Sequence, residues 1–314
     1  MGGSAGGIIP DAWTTGQVEK KIKHAEKQAF EAGFKTELSE LLGELLRQFN
    51  DRDTDTVNHR LDQIKAFLTS ELDSSIDQLF GGSVAKHTYV DGLSDVDTLF
   101  VLDSASVDVA KPVELVDDFA SLVSTRLGQT AEVTAGDMAV TVEYPDGMEI
   151  QILPAFKDAN GNLQISSGDM ENWSRIAPLK FQEVLSRRNK ECNGKLIPVI
   201  KLAKAVLATL PKTQQLSGYH VESLAVEAFK NYGGPTTNSE MLVEFFDRAK
   251  TLVNTPIRDK TGQSIHLDDY LGPAKSPDRV KLSYLLGRIE KRMRNASAAS
   301  SIEKWSAIFG LDEL

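Results

Sequence analysis

The segment GGSVAKHTYVDGLSDVDTLFVLD, residues 81–103, constrains the fold of this chain more than any other. It places Asp95 and Asp97 two residues apart at the start of an apolar, β-rich run that is typical of a strand. Side chains at i and i+2 of a strand point to the same face, so the two carboxylates are predicted to lie side by side. Neighbouring carboxylates repel each other unless a cation lies between them, and Mg²⁺ prefers carboxylate oxygens together with phosphates. The segment therefore predicts a site for a divalent metal, Mg²⁺ or Mn²⁺.

The residues just before the two acids are suited to phosphate binding. Gly81 and Gly82 allow the backbone to approach a ligand closely. Ser83 is expected to open a helix, where backbone N–H groups and the serine hydroxyl can bind phosphate oxygens. Most Gly-Gly-Ser turns are only turns, and two aspartates can also mark an exposed strand end. Their combination at this spacing favours a triphosphate tail held beside a metal.

Composition limits the class of protein. The 314 residues predict one large domain or two medium ones, and a net charge of −10 argues against a general nucleic-acid coat protein, although a local basic groove remains compatible with it. The single cysteine, Cys192, leaves no intrachain disulfide and fits a reducing, cytoplasmic setting. No apolar stretch approaches the ~20 residues of a membrane span, so we expect no membrane association.

The N-terminal region has a helical pattern. Residues 14–33 and 36–50 are predicted to be two amphipathic helices, with Gly33 ending the first. The helical period then continues from about Thr56 to Phe80. These helices can pack on either half of the chain, and their leucine-rich face can also mediate self-association.

The pattern changes after these helices. A strand within DVDTLFVLD, a helix from Pro112 to Gly128, and three strands within residues 131–156 predict a small mixed sheet with flanking helices. From about Trp173 the pattern is helical again, with Ser217 as an N-cap. The fold class is therefore α+β.

Three regions follow from this pattern. Residues 1–12 are expected to be a flexible arm, 13–170 an α/β lobe with the N-terminal helices, and 171–314 a helical lobe.

The segment at 81–103 closely resembles the signature of the DNA polymerase β-like nucleotidyltransferases. It is most similar to the branch that holds the 2′-5′-oligoadenylate synthetases and the bacterial cGAS/DncV-like enzymes (CD-NTases). EIQILPAF resembles the third catalytic strand of the synthetases, and KLIPVIKLAKAVLATL followed by SGYHVESLAVEAF resembles their helical C-terminal lobe. The resemblance extends from about Phe80 to Gly272. It implies a nucleotidyltransferase lobe followed by a helical lobe of the poly(A) polymerase and oligoadenylate synthetase type.

The resemblance also implies roles for single residues. Asp95 and Asp97 would hold the metals. The residues implied to bind the nucleotide are Gly82, Ser83, Lys86, Lys201, Lys204 and Tyr219. Lys201 and Lys204 would lie over the phosphates, and Tyr219 would stack on a base. The alternatives are a solvated helix face for the two lysines and ordinary packing for the tyrosine.

The third acid of the family is missing from its usual position. Where the synthetases have the aspartate of FDVLPAF, this chain has Gln151, and glutamine carries no charge and cannot act as a base. Glu149 lies two residues earlier and shares the same face of a regular strand. We therefore predict that Glu149 is the third catalytic and metal-binding acid and that Gln151 lines the site or binds a water on the metal; the alternative is a two-acid site that is weak or inactive.

By resemblance, the chain would bind nucleoside triphosphates with Mg²⁺ and join them into a short cyclic or linear oligonucleotide with release of pyrophosphate. The product would activate a separate effector protein in bacterial anti-phage defence. The rival hypotheses are a non-catalytic nucleotide-binding module and a transferase of single nucleotides. The cluster of His266, Asp268 and Asp269 is expected to form a structural plug or lid rather than a metal site.

Overall fold

The computed structural model describes most of the chain. The described residues are 15–50, 54–72, 76–80, 88, 96–102, 111–167, 171–257 and 268–311.

Helices occupy both ends of the described chain, and the strands lie between them. The α-helices are α1 (Thr15–Gln48), α2 (Thr54–Glu71), α3 (Pro112–Leu127), α4 (Pro178–Glu191), α5 (Leu196–Ala208), α6 (Gly218–Ala228), α7 (Asn238–Leu252), α8 (Pro277–Ala298) and α9 (Ile302–Ser306). The strands are β1 (Ile76–Phe80), β2 (Val96–Leu102), β3 (Glu132–Ala135), β4 (Val140–Glu143), β5 (Glu149–Lys157), β6 (Leu163–Ser166) and β7 (Trp173–Ile176). This mixture confirms the predicted α+β class.

The strands form one mixed sheet in the order β1-β2-β5-β4-β3, and β6 and β7 extend it from β5. β2 and β5 are parallel neighbours, and the other pairs are antiparallel. β4 and β5 are joined by the predicted turn, where Gly147 has a φ of 84° that glycine adopts without strain. β2 therefore lies directly beside β5.

Most of the buried apolar side chains that the structure describes belong to two cores, the sheet core and the helical core, and a smaller third cluster consists of Leu99, Val101, Ala155 and Ile165. The sheet core contains Phe100, Ile150 and Ile152 and is covered by α2 and α3. The helical core is formed mainly by α5, α6, α7 and α8, and the free thiol of Cys192 is buried in it.

The N-terminal helices are divided between these cores. Leu38, Leu42 and Leu45 of α1 are buried in the helical core. α2 instead buries an apolar stripe that includes Leu61 and Leu68 in the sheet core. α1 thus packs on the helical half, and α2 packs on the half that carries β2 and β5.

Three predicted boundaries are wrong. α1 continues through Gly33, because a glycine costs only about 1 kcal/mol in a helix interior and the leucines on its C-terminal side are buried. The helix predicted to reach Phe80 ends at Glu71, and residues 76–80 form β1, since their backbone groups pair with β2. Residues 173–176 form β7, and the next helix begins at Pro178, a favoured first helical residue.

Candidate functional site

The pairing of β2 with β5 places Asp97 beside Gln151. The two residues are partners in the parallel register, and Gln151 is also paired with Thr141 of β4. The position that the resemblance gives to the third acid is therefore the direct neighbour of one predicted metal-binding aspartate. The side chain of Asp97 lies outside the described part of the structure, as do Gly82, Ser83, Lys86 and Asp95 entirely.

Glu149 and Gln151 lie on the face of β5 that is turned away from the sheet core. Ile150 and Ile152, which alternate with them, are fully buried in that core. Both polar side chains are partly exposed, and Gln151 Nε2 donates a hydrogen bond to Glu149 Oε1 at 3.1 Å. The structure thus brings the glutamate carboxylate to the side chain that occupies the expected position of the third acid.

Lys204 of α5 is buried and ion-paired. Its Nζ donates to Glu222 Oε1 of α6 at 2.9 Å and to the backbone carbonyl of Thr88 at 3.0 Å. The exposed fractions of the two side chains are 8% and 1%. Lys201, on the same helix, is also buried, and its Nζ donates to Asn50 Oδ1. The alternative of a solvated helix face is therefore wrong for both lysines.

Tyr219 lies at the start of α6, and its partly buried ring packs against the helical core. The ring meets that of Phe181 edge-to-face, with 4.7 Å between centroids. Ser217 caps this helix by accepting a hydrogen bond from the backbone N–H of His220, as predicted. Tyr219 thus has a packing role, and its stacking on a base stays a prediction.

Asp268 has the structural role expected for its segment. It is fully buried, and its Oδ2 accepts a hydrogen bond from Arg279 Nη1 at 2.6 Å, while its Oδ1 accepts one from the backbone N–H of Ile257. Burial by itself would raise the pKa of Asp268, but the Arg279 guanidinium and the Ile257 amide hold it below its usual value. His266 and the side chain of Asp269 lie outside the described residues.

Sequence reasoning missed two residues of the candidate site, Thr88 and Glu222. The available signal for Glu222 is an acid directly before the run SLAV on α6, which is mostly apolar; an acid at such a position suggests a buried partner. No comparable signal marks Thr88. In the part of the chain that the structure describes, no three His, Cys, Asp or Glu side chains form a group that could hold a metal ion.

Comparison with known proteins agrees with this architecture. The family model of the SMODS domain (Second Messenger Oligonucleotide or Dinucleotide Synthetase domain) matches residues 34–189. No protein of curated function matches the chain by sequence.

Solved structures match most of the chain at low sequence identity. CdnC of E. coli MS115-1, solved with ATP, has a TM-score of 0.64 at 14% identity and covers 82% of this chain and 91% of its own. The CD-NTase CdnG of Bradyrhizobium diazoefficiens, solved with GTP, has a TM-score of 0.63 at 14% identity, with coverage of 82% and 89%. DncV of Vibrio cholerae, a cyclic AMP-GMP synthase solved with the linear intermediate pppA(3′,5′)pG, has a TM-score of 0.61 at 12% identity, with coverage of 96% and 91%.

A mixed sheet with parallel β2 and β5, followed by a helical lobe, defines the fold as that of a polymerase β-like nucleotidyltransferase. With its SMODS domain over residues 34–189, the chain belongs to the cGAS/DncV-like nucleotidyltransferases. None of its described helices is long and apolar enough to cross a membrane.

Proposed function

We propose that the chain is a divalent-metal-dependent nucleotidyltransferase that joins nucleoside triphosphates into a short cyclic or linear oligonucleotide. The observation that carries this proposal is the site on β2 and β5. Asp97 is in register with Gln151, and the Glu149 carboxylate lies within hydrogen-bonding distance of the Gln151 amide. This arrangement supplies the carboxylate that the sequence lacks at the usual position.

The carboxylates suit Mg²⁺ or Mn²⁺, because both ions favour oxygen ligands. Asp95, Asp97 and Glu149 would hold the metal, with Glu149 oriented by the hydrogen bond from Gln151. When bound, the metal would neutralise charge on the triphosphate and lower the pKa of the attacking hydroxyl.

The residues of the chain itself would then act on the substrate. Glu149 would accept the proton of a ribose hydroxyl on one nucleotide as its oxygen attacks the α-phosphorus of the next. The bond from the α-phosphorus to the bridging oxygen would break, and pyrophosphate would leave. Gly82 and Ser83 would hold the triphosphate through backbone N–H groups and the serine hydroxyl. A ring would form if the second transfer joins the two ends of the linear product.

The substrates in this proposal are nucleoside triphosphates, since CdnC is solved with ATP and CdnG with GTP. The SMODS family is described as making second messengers, which supports a product that activates a separate effector protein. The resemblance of residues 81–103 to the bacterial enzymes implies the setting of this signalling, and we propose that it serves anti-phage defence.

Incubation of the purified chain with each NTP and dNTP, alone and in mixtures, tests the proposal. Pyrophosphate release is followed with Mg²⁺ and with Mn²⁺, and products are identified by mass spectrometry. We expect release that Asp97→Asn abolishes and a product containing two or more nucleotides. No release from any mixture with either metal would disprove the activity.

Gln151 favours a second candidate, a nucleotide-binding module without catalysis, because an amide cannot activate a hydroxyl. This candidate predicts saturable ATP binding with no pyrophosphate release from any mixture. A product one nucleotide heavier than an added acceptor would instead indicate the third candidate, transfer of single nucleotides to a protein, an RNA or a small molecule.

A further inference from the structure

Thr88 is held at two points by the helical lobe. Its hydroxyl donates a hydrogen bond to Oε1 of Glu222, and its carbonyl oxygen accepts one from Lys204 Nζ. Glu222 Oε1 also accepts from Lys204 Nζ, so the three residues form a closed triangle of hydrogen bonds. Thr88 is fully buried, and Lys204 and Glu222 are buried with it. We call this group the Thr88 clamp.

The groups of the clamp and Gly218 surround the ammonium group of Lys204 closely. A buried ion pair costs desolvation free energy unless further hydrogen bonds satisfy its charges, and Thr88 supplies one to each partner. Gly218 lies against the same ammonium group, because a Cβ at this position would be 3.3 Å from Lys204 Nζ. A side chain there would press on the lysine, so Gly218 leaves it room.

The role that we infer for the clamp follows from the position of Thr88 in the sequence. Thr88 lies between Ser83, the predicted triphosphate ligand, and Asp95, the first predicted metal ligand. The two residues that hold it lie on α5 and α6, which belong to the helical core. The helical lobe therefore binds Thr88, which lies in the sequence between the two predicted catalytic elements of the other lobe.

We propose that Lys204 and Glu222 are positioning residues that fix Thr88, which the sequence places between the predicted triphosphate ligand and the first predicted metal ligand. This inference rests on the proposed nucleotidyl transfer. It gives Lys204 a different task from the phosphate contact that the family resemblance implies. A group placed even about 1 Å from its productive position can lose roughly a hundredfold in rate, so the clamp affects turnover without touching the substrate.

Thr88→Val tests the clamp with little change in shape, because it replaces the hydroxyl with a methyl group. Thr88→Ser keeps the hydroxyl and is the matched rescue variant. Ile289→Val in α8 is a control that trims the helical core away from the clamp. The first measurement is hydrogen exchange of the peptide that contains Thr88. The second is kcat, KM and the Mg²⁺ concentration for half-maximal pyrophosphate release.

We expect Thr88→Val to speed exchange in that peptide at least about tenfold and to lower kcat by about 10-fold to 100-fold, with a higher Mg²⁺ requirement. Thr88→Ser should stay within about twofold of wild type in each measurement, and Ile289→Val should change none of them. Unchanged exchange in Thr88→Val would overturn the clamp whether or not the chain is active. Faster exchange with unchanged kinetics would overturn its positioning role.

Lys204→Met separates positioning from phosphate contact. If Lys204 acts through Thr88, its effect on kcat and that of Thr88→Val will not add in the double variant. Additive effects, with the loss from Lys204→Met confined to KM, would support a direct phosphate contact and overturn the proposal. If wild type releases no pyrophosphate, the proposed function fails. The clamp is then judged by exchange and by ATP binding, which Thr88→Val should weaken about tenfold, and unchanged ATP binding would overturn it.

Discussion

The side-chain amide of Gln151 donates a hydrogen bond to the carboxylate of Glu149, 3.1 Å away on the same face of β5. Gln151 is also the register partner of Asp97 on the parallel strand β2. A neutral side chain thus contacts the glutamate carboxylate, and its residue is the register partner of the aspartate proposed above to bind metal. The acid that we propose as the third one therefore lies two residues along the strand from the position that the resemblance implies.

Glu149→Gln removes the charge that we assign to the third acid and keeps the size of the side chain. We expect the rate of pyrophosphate release to fall at least about a hundredfold, because an amide cannot accept the proton of the attacking hydroxyl. Glu143→Gln is the matched control, since Glu143 is the exposed register partner of Glu149 on β4. Full activity in Glu149→Gln, with Asp95→Ala inactive, would show that Glu149 is not the third acid.

Gln151→Asp restores the acid that the resemblance to the oligoadenylate synthetases implies at this position. The new carboxylate would repel Glu149 in the absence of metal, so we expect a lower melting temperature in EDTA and a larger rise on addition of Mg²⁺ than in wild type. Activity at saturating Mg²⁺ should rise severalfold. Thermal melting with and without Mg²⁺ measures this, and Gln151→Asn is the neutral control. An Mg²⁺ response equal to that of wild type would place the metal away from residue 151.

Local signals in the sequence predicted much of the fold. Alternation of apolar residues identified β2, Pro112 and Gly128 marked the two ends of α3, and Ser217 identified the start of α6. Each of these signals depends on residues a few positions apart, and the tertiary contacts of the fold agree with it. The Pro-Asp-Gly turn before β5 belongs to the same class, because its conformation depends on the turn residues themselves.

Other elements depend on distant contacts that no local pattern shows. β1 forms because β2 lies beside it, and α1 packs on the helical core although its sequence precedes the sheet. The Thr88 clamp joins residues 116 and 134 positions apart in the chain. The sequence of α5 alone does not show whether a lysine on it is buried or solvated. That distinction depends on the partner residue on α6.

Tyr219→Leu tests whether the tyrosine stacks on a nucleobase. Base–aromatic stacking contributes about 1–3 kcal/mol, so we expect KM for the NTP to rise roughly tenfold or more. Tyr219→Phe keeps the ring and should keep KM. Phe181→Leu removes the edge-to-face partner of Tyr219 and should lower the melting temperature with a smaller change in KM. If Tyr219→Leu lowers the melting temperature and leaves KM unchanged, the tyrosine only packs.

Asp268→Asn breaks a buried ion pair by removing one charge. Arg279 would remain fully buried with its guanidinium uncompensated, so we expect the free energy of unfolding to fall by about 3–5 kcal/mol. Urea unfolding followed by circular dichroism measures the loss. Asp247→Asn is the control, since Asp247 pairs with Lys250 near the surface, where such pairs contribute about 0–1 kcal/mol. Equal losses in the two variants would contradict a structural role for the Asp268–Arg279 pair.

We expect the burial of His220 to make the folded state less stable as the solution becomes acidic. Its imidazole is fully buried, with Nδ1 2.8 Å from the Tyr270 hydroxyl and Nε2 3.9 Å from Asp268 Oδ2. Burial lowers its pKa to about 4, although Asp268 opposes the shift. Between about pH 6.5 and pH 4, therefore, the imidazole is protonated in the unfolded state and neutral in the folded state. The free energy of unfolding should thus fall by about 2 kcal/mol as the pH is lowered from 7 to 5. His220→Asn should be less stable at pH 7 but lose about 2 kcal/mol less over this range, as urea unfolding at each pH will measure. Tyr270→Phe keeps the imidazole and should keep the steeper dependence, and equal slopes in wild type and His220→Asn would refute the assignment.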